Sequence, residues 1–171
     1  MNIEKFTAKS QEAINDAQAL AVEYNHQEIH PMHLFLALLN QDNGLVSAII
    51  DKAGASSLRV KKNVIDRLKA IPAVSGPGAQ QVYLAKDTVA ALNEAVKIAG
   101  KMKDEYVSVE HIFLALVDKS RECKESVESA GITYNQVLET PVSRMIISGE
   151  LKDGQALYVD VKGEELVFVS E

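Results

Sequence analysis

From Phe6 onward, small and apolar residues recur at three- and four-residue steps: Ser10, Ala13, Ile14, Ala17, Ala21 and Tyr24. Gln11, Glu12, Asn15, Asp16 and Glu23 fall between them. This spacing predicts an amphipathic helix from Phe6 to Tyr24, capped by Thr7 and ended by Asn25 and His26. Pro31 suits the first turn of a second helix with His30 at its cap, because proline lacks only a donor that would be unpaired there. After Asn43-Gly44 the pattern predicts a third helix, Leu45 to Lys52, stopped by Gly54, and a fourth from about Ser57 to Leu68. The stretch IPAVSGPGAQQ, residues 71–81, carries loop signals throughout.

The order is then replayed: Lys86 to Met102, Val109 to Val117, Arg121 to Ala130, and Tyr134 to about Glu139. The replay extends to wording. HLFLALL at His33–Leu39 returns as HIFLALV at His111–Val117, a displacement of 78. Ala13/Ile14 map onto Ala91/Leu92, Ala17 onto Ala95, Leu20 onto Ile98 and Ala21 onto Ala99, while Ala53-Gly54 returns as Ala130-Gly131, slipped by one. A whole folding unit is therefore repeated. Each half offers four short helices with one oily face, too small to stand alone, so the two are expected to pack as one pseudo-twofold domain. The repeats span about 1–70 and 82–139, joined by the linker 71–81. Such a pair leaves a groove for peptides at its seam, or else a seam filled with core side chains.

The pattern changes after Pro141. Gln155–Val161 and Glu165–Val169 are rich in β-branched and aromatic residues, and Lys162-Gly163-Glu164 supplies a turn. Residues 140–171 thus read as a short β appendage on an otherwise all-α chain. A lone hairpin is marginal in water, so it must dock, pair with another chain, or stay loose.

Composition narrows the function. Aromatics are only 5% and Trp is absent, so the core must be Ala, Leu, Ile and Val, which favours packed helices. A net charge of −6 argues against nucleic acid as partner, and the charges at Arg59 to Lys62 read as a solvated helix face. Cys123 is the only cysteine, which removes an intramolecular disulfide and a thiolate cluster. The first residues carry scattered charge and no apolar core of a signal, and no run reaches the length of a membrane span. A cytoplasmic location is expected.

Catalytic chemistry finds no foothold in the motifs. Gly100-Lys101 continues into Met102 and Gly76-Pro77-Gly78 into Ala79, so no phosphate-cradling loop is written. His26, His30 and His33 have metal-like spacing, but Pro31 changes the chain from loop to helix among them, which favours surface and capping roles. His111 stands at the repeat position of His33, which suits packing or capping. Cys123 has no orienting partner on its predicted helix and reads as structural. No serine lies in a Gly-x-Ser-x-Gly elbow. Ser108 caps the second helix of the second repeat, and Glu110 meets the positive end of its dipole. The reading calls for no enzyme activity, no metal and no cofactor.

FTAKSQEAINDAQALA, IHPMHLFLALLNQDNGLVSAIIDKAGA and VYLAKDTVAALNEAVKIAGKMKDEYVSVEHIFLAL closely resemble the N-terminal domain of the Clp/Hsp100 chaperones, in the ClpB disaggregase branch, over residues 1–139. The resemblance implies a double helical repeat that binds substrate upstream of ATPase modules. It assigns substrate contacts to Thr7, Asp104 and Glu110, whose plain structural roles are cap, turn former and dipole partner. In the related ClpC branch both repeats carry Glu before the histidine and serve phosphoarginine recognition. Here the first is Met32, leaving Glu110 alone. The tail, TPVSRMIISGELKDGQALYVDVKGEELVFV, resembles the C-terminal end of ClpB's second ATPase module, without the engines between.

The resemblance therefore implies ATP-independent binding of unfolded or aggregated polypeptide. The alternative is a regulatory or assembly module that pairs through its hairpin with itself or with a full-length ClpB. A third reading is a deletion relic or a made chain with no role of its own.

Overall fold

The computed structural model describes residues 2–76, 81–133 and 135–137, together with the backbone of strands at 157–162 and 165–170. After a single 3-10 turn at Ile3–Lys5, the first repeat runs α1 (Ala8–Glu23), β1 (Glu28–Ile29), α2 (Pro31–Asn40), α3 (Leu45–Lys52) and α4 (Ser57–Ala70). The second runs β2 (Tyr83–Leu84), α5 (Lys86–Lys101), α6 (Val109–Lys119) and α7 (Arg121–Glu128), and residues 135–137 begin another helical turn. Thr133 starts that turn: its hydroxyl accepts from the Gln136 N–H, while its own N–H donates to Gln136 Oε1 at 2.8 Å. The far end of this helix lies outside the described residues.

The Thr7 cap is the one the sequence calls for, and Ser56 and Ser120 are two that it did not single out. Thr7 accepts the Ser10 N–H, Ser56 the Arg59 N–H and Ser120 the Cys123 N–H. Helices α1 and α5 both end in a left-handed residue, Asn25 and Lys103, each at φ 57°. In each case the next N–H turns back onto the helix: His26 N–H reaches the Ala21 carbonyl at 2.8 Å, and Asp104 N–H reaches that of Ala99 at 2.9 Å. Gly54 and Gly131 share φ +95°, so the slipped Ala-Gly pair is a repeated left-handed stop after α3 and α7.

Helices α2 and α6 form the centre. Every residue from Pro31 to Leu39 and from Val109 to Val117 is buried, so both helices are wrapped on all sides. Phe35 and Phe113, equivalent under the 78-residue displacement, stack at the middle with ring centroids 5.6 Å apart. Met32 Sδ lies 3.6 Å from Cys123 Sγ, and burial pushes that thiol up to about 12, as expected of a structural cysteine. Arg67 of α4 meets Glu125 of α7 at 3.1 Å across the same boundary. The seam is thus filled by side chains. Of the two outcomes left open, a groove or a filled seam, the described residues show the filled one around Phe35 and Phe113.

Two short backbone contacts tie the repeats together, and the sequence pattern did not foretell them. The entry segment of each repeat pairs with the strand before the second helix of the other. Glu28–Ile29 runs parallel to Tyr83–Leu84, and Phe6 forms a parallel bridge to Val107. Phe6 and Leu84, and likewise Ile29 and Val107, are 78 residues apart, so one contact is the pseudo-twofold image of the other. Strands β3 (Leu157–Lys162) and β4 (Glu165–Ser170) pair antiparallel, from Leu157 opposite Ser170 to Lys162 opposite Glu165. This is the hairpin expected of the tail. Its turn, Gly163-Glu164, lies outside the described residues.

Candidate polypeptide-binding site

Thr7, Asp104 and Glu110 gather around one of the two cross-repeat contacts. The Val107 N–H donates to the Lys5 carbonyl at 2.7 Å, and the Val107 carbonyl accepts from the Thr7 N–H at 3.0 Å and from Ser10 Oγ at 2.9 Å. Thr7 Oγ1 lies 2.9 Å from Ser10 Oγ. Asp104 precedes Val107 by three residues, and Glu110 follows it by three. Chain connectivity therefore holds all three near the same bridge.

They differ in what they offer a ligand. Thr7 is half-buried and committed to its cap. Glu110 is only 7% exposed, in the first turn of α6, where the helix N-terminus favours its charge. Asp104 keeps a partly open carboxylate whose Oδ2 lies 2.8 Å from Nε2 of the fully buried His111. The contact is close but off the N–H axis, and among the described residues no aligned partner reaches that nitrogen. His111 Nδ1 accepts the Ser108 N–H at 2.9 Å, which places the ring proton on Nε2, toward Asp104. Burial pushes the imidazole pKa down, and Asp104 opposes that shift.

Apolar surface flanks the bridge. Ile3 is 41% exposed two residues before Lys5, and Tyr106 is 51% exposed next to Val107. Neither was singled out in the sequence; an isolated aromatic within the polar run KDEYVSVEH was the available signal. Exposed Lys5, Lys103 and Glu105 border the same segments. The arrangement joins an apolar pair, a charged rim and a bridge held by paired backbone groups.

The image of this site in the first repeat is built differently. His26 occupies the position of Asp104, and Met32, fully buried, that of Glu110. His26 and His33 are themselves buried, at 2% and 0% exposure, which corrects the expectation of surface roles. His30 does stand at the cap of α2, and its N–H donates to His33 Nδ1 at 2.9 Å. Among the described residues no group of three or more His, Cys, Asp or Glu could hold a metal ion. No helix among them is long and apolar enough to cross a membrane.

Residues 5–130 match the Clp repeat (R) N-terminal domain. The chain belongs to the Clp repeat N-terminal domain family. It is 40% identical over 134 residues to the chaperone protein ClpB of Rhodopseudomonas palustris, covering 78% of the chain and 15% of that relative. It is 44% identical over 121 residues to ClpB of Nitratidesulfovibrio vulgaris, covering 70% of the chain and 14% of the relative. The chain thus spans about one seventh of the length of these curated Clp relatives. The fold is that of the Hsp104 N-terminal domain from Candida albicans, with a TM-score of 0.73 at 22% identity, covering 86% of this chain and 94% of that one. It is also that of the ClpV N-domain solved in complex with a VipB peptide, with a TM-score of 0.65 at 20% identity, covering 85% and 89%.

Proposed function

We propose that this Clp repeat domain binds exposed apolar segments of unfolded or aggregated polypeptide, without hydrolysing nucleotide, at the rim of the repeat seam. The binding face comprises Ile3 and Tyr106 with Thr7, Asp104 and Glu110. The observation that carries this reading is the exposed apolar pair beside a rigid cross-repeat bridge on a body whose seam is sealed. Tyrosine offers large contact area at low entropic cost, and the neighbouring charges set a rim that limits non-specific association. The ClpV N-domain with its bound peptide supports polypeptide as the ligand class.

The test is fluorescence anisotropy with labelled, permanently unfolded casein. Tyr106→Asp combined with Ile3→Asp should weaken binding about tenfold or more, the usual cost of losing an interface anchor. Asp104→Ala should weaken it less. Binding unchanged in the double variant, or no binding by the folded wild-type domain at high micromolar concentration, would sink the reading.

A further inference from the structure

The buried histidines of the first repeat form a directional chain of hydrogen bonds that ends on the linker between the repeats. The His30 N–H donates to His33 Nδ1 at 2.9 Å, so the proton of the neutral His33 ring must sit on Nε2. That nitrogen lies 2.8 Å from His26 Nδ1, which therefore accepts, leaving the His26 proton on Nε2. His26 Nε2 in turn lies 3.2 Å from the Ile71 carbonyl, at the start of the linker. Only the doubly neutral state satisfies every link. An added proton on either ring points one N–H at another.

His26 also sits at the middle of the clamp on the linker. The carbonyls of its two neighbours hold the same segment: Asn25 accepts the Val74 N–H at 2.8 Å, and Gln27 accepts the Tyr83 N–H at 3.1 Å. We propose that His26 and His33 act as a proton-operated latch, holding residues 71–76 and β2 against the first repeat when neutral and releasing them when protonated.

The groups facing the pair are few. From α1, the Tyr24 ring stacks on His26 at 5.7 Å and meets His33 edge-on at 6.4 Å, with Glu23 beside it in the chain. From the start of α2, the His30 ring lies 6.5 Å from His26 and 5.7 Å from His33. From β1, Glu28 reaches His30 Nε2 at 3.9 Å, not the buried pair. Residues 71–76 of the linker carry no charge, and β2 brings only Tyr83. Burial therefore dominates, and it holds His33 down to about 4 and His26 below its ordinary value.

The second repeat is a built-in control. Asp104 replaces His26 there, 2.8 Å from His111 Nε2, and its charge favours a protonated ring instead of opposing one. Thr7 and Val107 should accordingly keep more of their contact where Val74 and Tyr83 lose theirs.

The experiment is NMR on the full, isotope-labelled chain from pH 7.5 to 3.5. Side-chain nitrogen shifts of His26 and His33 report protonation and tautomer, and amide protection factors report the latch. Protection at Val74 and Tyr83 should fall about tenfold per pH unit while one proton is taken up, with Thr7 and Val107 falling less. His26→Asn keeps an acceptor and a donor but cannot bind a proton, and should move the release to lower pH. Unchanged protection at Val74 and Tyr83 while the rings titrate would overturn the proposal. So would an equal loss at all four amides. The wild-type titration decides even where the variant fails to fold.

Discussion

Two small hydroxyls carry much of the fastening between the repeats. Ser10 Oγ donates to the Val107 carbonyl, and its image, Thr88 Oγ1, donates to the Ile29 carbonyl at 2.6 Å. Both residues are buried, so the bonds are shielded from water. The Ile29 carbonyl keeps the Ala85 N–H at 3.2 Å when Thr88 is changed, so no acceptor is orphaned. Thr88→Val should therefore cost about 1 kcal/mol, one net hydrogen bond, measured by urea denaturation. A second residue-scale prediction concerns Gly131. A methyl group added at its Cα would meet nothing within 4 Å, so only the φ of +95° resists a side chain. Gly131→Ala should cost about 1–2 kcal/mol, and Gly54→Ala a similar amount, through backbone strain alone. These glycines were visible in the sequence as a slipped pair. The hydroxyl bonds were not, since a Ser or Thr on an apolar helix face carries no sign of the distant carbonyl it serves.

At the scale of elements, periodicity found the helices because each is long enough to show a face. Helix α1 begins at Ala8 behind its predicted cap, and α3 matches its expected bounds. Strands of two residues have no period to read, so β1, β2 and the Phe6–Val107 bridge stayed hidden. HLFLALL and HIFLALV carry oily residues around nearly the whole helix circumference. That signature belongs to a helix buried on every side and could have decided for the sealed seam, which the pattern reading left level with the groove. The consequence is a strong dependence on the stacked Phe35 and Phe113. Phe35→Ala should cost about 3–5 kcal/mol by transfer and cavity terms, while Phe35→Leu, which keeps most of the volume, should cost less than half as much. Equal losses in chemical denaturation would show that the central stack is not what fills the seam.

For the whole molecule, the duplication was legible as a displacement of 78, and so was Met32 against Glu110, but the exchange of His26 for Asp104 was not. Thr7, Asp104 and Glu110 were named through family resemblance; the geometry that gathers them, with Ile3 and Tyr106, needed the bridge. The asymmetry has a global cost in acid. His33 and His26 are held below their ordinary values by burial, and so is His111 despite Asp104. A histidine with a depressed folded-state pKa contributes its full stability above the unfolded value of about 6.5, where both states are neutral. As pH falls below that value the unfolded chain binds protons that the folded chain refuses, so stability drops, and for His33 the drop continues to about 4. The slope is at most about 1.4 kcal/mol per pH unit for each such ring. Urea midpoints should accordingly fall steadily from pH 7 to pH 5. Asp104→Asn should steepen the fall, because it removes the charge that favours the protonated His111. A midpoint flat across that range, or a gentler slope in Asp104→Asn, would show that these rings reach solvent readily enough to titrate as they do in the unfolded chain.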